Sequence, residues 1–132
     1  MQYQCSLDRA ELIDLAINRY FANVDAKNLD DVMACFHDNA SITIQSAFTV
    51  HNGKENIRRM FTGFMNTYKT IIHKDFRCTV DERNGRIAAS FVAQNEDHEG
   101  NWTTLNNTNF WRIRDDRFQE IHIYMSGENP LT

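Results

Sequence analysis

The hydrophobic positions change period once along the chain, near residue 70. Before that point they recur every three to four residues; after it they alternate. Over residues 8–25, Ile13, Ala16, Ile17, Tyr20, Phe21 and Val24 form one apolar stripe and predict a helix. Asp8 and Glu11 have the spacing of a capping pair at its start. Asn28, a good N-cap, opens a short second helix that buries Leu29, Val32, Met33 and Phe36. Two short strands follow, ASITI and AFTVH, with Ile42 and Ile44 on one face. Gly53 opens a third helix, whose apolar set is Ile57, Met60, Phe61, Phe64, Met65 and Tyr68, the spacing of a wide buried face.

The alternating half reads as two hairpins. IIHKDFRCTVDER and RIAASFVAQNED flank Asn84-Gly85, a strong turn signal. NWTTLNNTNFWRIR and RFQEIHIYMS flank Asp115-Asp116. Three helices followed by long antiparallel strands make an α+β plan. A strongly curved, mixed or antiparallel sheet with three N-terminal helices on its concave face forms a cone, and its open end is a usual place for a ligand pocket.

Three asparagines interrupt this pattern in TLNNTNFW, although asparagine is depleted in strands. Alternation divides them. Asn107 and Asn109 share a face with Leu105, Trp111 and Ile113, and that face matches Ile121, Ile123 and Met125 on the next strand. Asn106, Thr108, Phe110 and Arg112 then point outward, opposite Glu120, His122 and Tyr124. Two neutral amides inside an apolar cone are costly unless bonded. They predict a polar pocket wall; pairing with each other or with a buried water is the alternative.

Composition narrows the partners. A chain of 132 residues with 42% hydrophobic content suits a single domain, taken as 1–132. The formal charge of −4 speaks against nucleic acid or an anionic membrane surface as partner. No apolar run approaches a membrane span, and the start shows no secretory pattern. Cys5, Cys35 and Cys78 are odd in number and widely spaced, which predicts reduced thiols in a cytoplasmic protein. No nucleophile motif, phosphate-binding glycine loop or metal-ligand spacing is present, so no metal or cofactor is implied. The NEDHEG segment is predicted to be a solvated turn, and His37 and His51 to be exposed at element ends.

RYFANVDAKNLDDVMACFHDNASI, NGKENIRRMF and FWRIRDDRF, in this order, resemble the nuclear-transport-factor-like superfamily and its SnoaL-like domains. Relatives there include SnoaL-like polyketide cyclases, ketosteroid isomerases and scytalone dehydratase. The resemblance implies a dimer through the outer sheet face and a small-molecule pocket. It places Tyr20 where the isomerases carry an oxyanion-hole tyrosine, and Asn109 near their second oxyanion donor. Their catalytic aspartate would fall at Ile44, which cannot take a proton. The dehydratase pattern aligns Asp25 with an aspartate, His73 with a catalytic histidine and Asn107 with a substrate-orienting asparagine. Its second histidine would fall near Phe91 and its active-site tyrosine near Val24.

The candidate catalytic residues are therefore His73, Asp25 and Tyr20. A carboxylate bonded to one imidazole nitrogen fixes the tautomer and raises basicity at the other, which suits proton removal beside a carbonyl. The alternatives are Asp25 in solvent, His73 packed at a strand end, and Tyr20 as a core tyrosine. The expected pocket wall is Phe36, Ile44, Phe61, Phe64, Met65 and Phe91, with Asn107, Asn109, Trp111 and Ile123. Its ligand is expected to be a small apolar or aromatic carbonyl or hydroxyl compound. The function that follows is a cofactor-free lyase or isomerase. A ligand-binding or dimerisation protein without chemistry is the alternative, and a cavity of roughly 300 Å³ would speak against a merely filled cone.

Overall fold

The computed structural model describes residues 2–132. Helix α1 covers 9–25 and opens on a complete capping box: the Glu11 amide donates to Asp8 (2.9 Å) and the Asp8 amide to Glu11 (3.1 Å). It is not uniformly α-helical. Arg9–Ile13 and Ala22–Asp25 are α, and Asp14–Phe21 between them is π-helical. The wider turn changes which residues face inward. Leu15 and Tyr20, then Ala16 and Phe21, are buried five residues apart, as i→i+5 bonding dictates. Leu12 and Leu15 are fully buried, whereas Ile13 and Ile17 of the expected α stripe are only half-buried.

Helix α2 is Leu29–Met33 and helix α3 is Lys54–Thr67. Gly53 caps α3 with φ +82 and donates its amide to Ala40 (2.8 Å). The buried face of α3 is Ile57, Met60, Phe61, Phe64 and Met65. Tyr68, expected to close that face, instead begins a strand.

Six strands make one sheet: β1 Phe36–Ile44, β2 Thr49–Asn52, β3 Tyr68–Asp81, β4 Arg86–Asp97, β5 Trp102–Arg114 and β6 Arg117–Tyr124. The order is β2-β1-β6-β5-β4-β3, antiparallel except where β1 runs parallel to β6. Phe36 belongs to β1 rather than to the second helix. It pairs with Phe118, and the register slips before Ser41. Further slips occur in β3 and between Arg112 and Ile113, and such bulges bend the sheet into the curved wall of the cone.

The first hairpin turn is longer than the two residues its Asn-Gly suggests. Asp81 pairs with Arg86, leaving a four-residue loop. Gly85 is required there. Its φ is +60, and a Cβ would come within 2.6 Å of the Cys5 Cβ and 3.0 Å of the Ile113 carbonyl. The second turn has two residues, with Asp115 at φ +55.

Burial alternates along β4 and β5, and the sheet packs against α1 and α3. Trp111, Phe36, Phe61 and Phe118 are fully buried at the centre. Rings around Tyr20 pack edge-on at centroid distances from 5.3 to 6.4 Å. Among the described residues, no helix is long and apolar enough to cross a membrane.

Candidate functional site

Strand β3 changes phase midway. Ile71 and His73 face inward, and after the bulge between Lys74 and Arg77, so do Phe76, Cys78 and Val80. Asp75 takes up the extra residue at φ +58. Without that bulge a strict period of two could not turn both His73 and Phe76 toward the helices.

Asp25 is the last residue of α1, where the helix dipole disfavours a carboxylate. Bonds from β3 offset this. The His73 amide donates to Asp25 Oδ2 (2.8 Å), and His73 Nδ1 lies 2.5 Å from Oδ1. The carboxylate only accepts, so Nδ1 carries a proton, and in the neutral ring Nε2 carries the lone pair. Among the described residues nothing bonds Nε2. The ring is held by Phe21, 4.5 Å away at 30°, and by Phe91 at 5.6 Å. The His73 side chain is 9% exposed and borders an internal cavity.

The cavity holds about 30 Å³. Of the expected wall, Tyr20, Phe61, Phe64, Phe91, Asn107, Asn109 and Ile123 border it, together with His73. Phe36, Ile44, Met65 and Trp111 do not. They are buried in the surrounding core, because rings and aliphatic chains of neighbouring elements fill the deep end of the cone. The remaining space is far below the roughly 300 Å³ of an ordinary ligand pocket, so side chains occupy most of the cone.

The sequence reading missed Asn95 and the C-terminal tail. Asn95 is an inward residue of β4, two and four positions beyond Ala93 and Phe91. The expected strand RIAASFVAQNED already reached Asp97, as β4 does, so its alternation with Phe91 and Ala93 carried the signal for Asn95. The solvated turn begins later. There the Asp97 carboxylate accepts from the amides of Glu99 and Asn101 (2.9 Å each). Pro130 and Leu131 also border the cavity. Their segment is tied down by His51, whose Nε2 lies 2.9 Å from the Leu131 carbonyl. His51 is therefore buried, not exposed as its position at a strand end suggested.

Three amides on the wall have no protein partner. Asn95, Asn107 and Asn109 are 2%, 6% and 2% exposed, and each Oδ1 is buried and unbonded among the described residues. The Asn107 and Asn109 side chains do not satisfy each other. Beside Asn109 on the same strand face, Trp111 Nε1 is also unbonded. Each such group costs about 1–3 kcal/mol if nothing meets it.

Burial pushes the Tyr20 phenol well above its ordinary value, and the nearby Cys35 and Asp25 push it the same way. It stays protonated and can donate its proton in a hydrogen bond. Cys35 is no nucleophile, because burial pushes its thiol up to about 11. Among the described residues, no group of three His, Cys, Asp or Glu is placed to hold a metal ion. The arrangement can therefore abstract a proton at Nε2 and donate hydrogen bonds to an oxygen.

Residues 17–121 match the sequence profile described as "SnoaL-like domain". No curated protein sequence matches the chain. Solved structures share its fold. SalBIII, an epoxide hydrolase/cyclase-like enzyme of pyran ring formation in the polyether salinomycin, superposes with a TM-score of 0.79 at 14% identity, over 90% of this chain and 93% of that one. An LEH-like epoxide hydrolase from M. tuberculosis gives 0.77 at 12% identity, over 89% and 84%. A protein with ketosteroid isomerase-like fold from Catenulispora acidiphila, in complex with trimethylamine, gives 0.72 at 9% identity, over 82% of each chain.

Proposed function

The chain belongs to the SnoaL-like domain family, and from that premise we propose that it is a cofactor-free lyase or isomerase acting on a mostly apolar carbonyl or hydroxyl compound. The observation that carries this reading is the Asp25–His73 contact at the cavity wall, with Nε2 left unbonded. His73 Nε2 takes a proton from the carbon beside a substrate carbonyl. Asp25 stabilises the imidazolium that forms. Tyr20 and the deep amides Asn107 and Asn109 donate to the developing enolate oxygen, where fixed donors in a water-poor site are most effective. The imidazolium then returns its proton to a leaving hydroxyl, giving dehydration, or to another carbon, giving isomerisation.

The test is deuterium exchange at the α-carbon of 2-tetralone in D₂O, followed by proton NMR. The intact protein should catalyse exchange, and His73→Ala should lower the rate by about 10²–10⁴. Unchanged exchange in that variant would sink the assignment.

The filled cone, with about 30 Å³ left open, favours a dimerisation domain; a second reading, binding without turnover, is supported by the missing proton acceptor at Ile44. It predicts saturable binding of 2-tetralone with no exchange above background.

The proposal includes a homodimer through the outer sheet face. Phe110 and Tyr124 are 45% and 48% exposed there, with ring centroids 5.8 Å apart across β5 and β6. A neighbouring groove of about 270 Å³ includes Phe110, Arg112 and His122. Such a mixed apolar and polar face suits a protein contact. Sedimentation of the protein and of Tyr124→Glu tests it: the first should run as a dimer and the second as a monomer. The free thiols Cys5, Cys35 and Cys78 suit a reducing, cytoplasmic setting.

A further inference from the structure

The cavity wall carries one polar side chain more than the proposed reaction uses. Asn95 stands apart from the deep amides. On β4, Ala93 pairs with His73 on one side and with Leu105 on the other. Asn95 lies two residues from that level in one direction. Asn107 lies two residues from it in the other, and Asn109 four. At roughly 3.3 Å per residue, Asn95 and Asn107 are about 13 Å apart along the sheet, with His73 between them. Asn109 is next to Trp111, which is fully buried, and Asn95 marks the opposite end, toward the β4–β5 hairpin.

The lining is also uncharged in a specific way. It contains no Lys, Arg, Asp or Glu among the described residues, and its titratable side chains are Tyr20 and His73. An anionic ligand would be desolvated with no Lys or Arg facing it, and a cationic one with no Asp or Glu on the wall. A side-chain amide, by contrast, both donates and accepts, and so complements a hydroxyl or a carbonyl. All three amides are more than nine-tenths buried, border the cavity and lack a partner at Oδ1.

We infer that the site selects an uncharged, flat, elongated molecule with an oxygen function at each end, and that Asn95 is the specificity-determining residue for the end toward the β4–β5 hairpin. The inference rests on the proposed reading that Asn107 and Asn109 hold the deep oxygen. Pro130 and Leu131 border the same cavity, so the tail must shift to admit such a molecule.

Isothermal titration of the intact protein with three probes tests this: 4,4′-dihydroxybiphenyl, 4-hydroxybiphenyl and 4′-hydroxybiphenyl-4-carboxylate. The diphenol should bind roughly tenfold tighter than the monophenol, the worth of one well-placed hydrogen bond. The carboxylate should bind more weakly than the diphenol by about the same factor or more. Asn95→Leu should bring the diphenol down to the monophenol's affinity and leave the monophenol unchanged. Should Asn95→Leu fail to fold, the wild-type affinity ratio and the shift of the Asn95 side-chain amide in ¹⁵N NMR decide the matter. Equal affinities for the two phenols, a ratio untouched by Asn95→Leu, a carboxylate that binds best, or no binding by either neutral probe overturns the inference. His73→Gln separates the two claims. An Asn95-dependent preference without α-proton exchange keeps this inference and removes the catalytic one; His73-dependent exchange without end preference does the reverse.

Discussion

The Asp25 carboxylate grips His73 twice, once at the backbone amide and once at Nδ1, across 48 residues of sequence. The two bonds do different things. The first fixes where β3 meets the end of α1. The second fixes the tautomer and so aims the lone pair on Nε2 away from the carboxylate.

Asp25→Asn is expected to separate these roles. The amide oxygen can still accept from the His73 backbone, but a neutral partner cannot stabilise an imidazolium. Exchange at the α-carbon of 2-tetralone should fall by roughly 10²-fold or more. The affinity for 4-hydroxybiphenyl should stay within about threefold, which a calorimetric titration reads directly. A parallel loss of both would mean that Asp25 holds the site's shape and nothing else.

The unpartnered amides make an unusual stability prediction. Replacing Asn109 by Leu removes a buried polar group that no protein atom satisfies. Urea unfolding should show the variant more stable by about 1 kcal/mol, while exchange activity drops. Loss of stability instead would show that the amide has a structural partner.

Gly85→Ala should be costly for a local reason. The left-handed φ of +60 and the approach of Cys5 and the Ile113 carbonyl leave no room for a Cβ. A loss of about 2 kcal/mol or more is expected in thermal or urea unfolding. Gly63→Ala is the control. Nothing lies within 4 Å of its added Cβ, and helix propensity favours alanine by roughly 0.5–1 kcal/mol.

Glu120 sets a pH dependence on the outer face. Burial pushes its carboxyl up, but hydrogen bonds from Tyr3 and His122 and the charge of Arg112 outweigh this and hold it below the usual value. A depressed folded-state pKa stabilises the fold above the unfolded value and loses that contribution as pH falls through the folded one. Glu120→Gln should therefore unfold more easily than the wild type at pH 7, by about 1 kcal/mol. Near pH 2 the two should melt alike, as differential scanning calorimetry will show.

Much of the architecture was legible because it rests on short-range sterics. The change of period near residue 70, the two hairpins and the inward aim of Asn107 and Asn109 follow from how side chains project from helices and strands. The capping box and the glycine at the first turn are equally local. Phe36 and Tyr68 were misplaced because each stands at a junction, where an apolar residue satisfies either element.

By itself the sequence determined the class of fold, the family and the inward residues of β5. Those depend on periodicity, which every stretch of chain states for itself. Tertiary structure decided the rest. The π-helical stretch put Leu15 into the core, and the bulge at Asp75 turned His73 and Phe76 the same way. Contacts between distant segments joined Asp25 to His73 and drew the tail over the cavity through His51. Each is a shift of one residue or one bond between remote elements. The summed packing of the whole core sets such shifts, and no local window of sequence contains that sum.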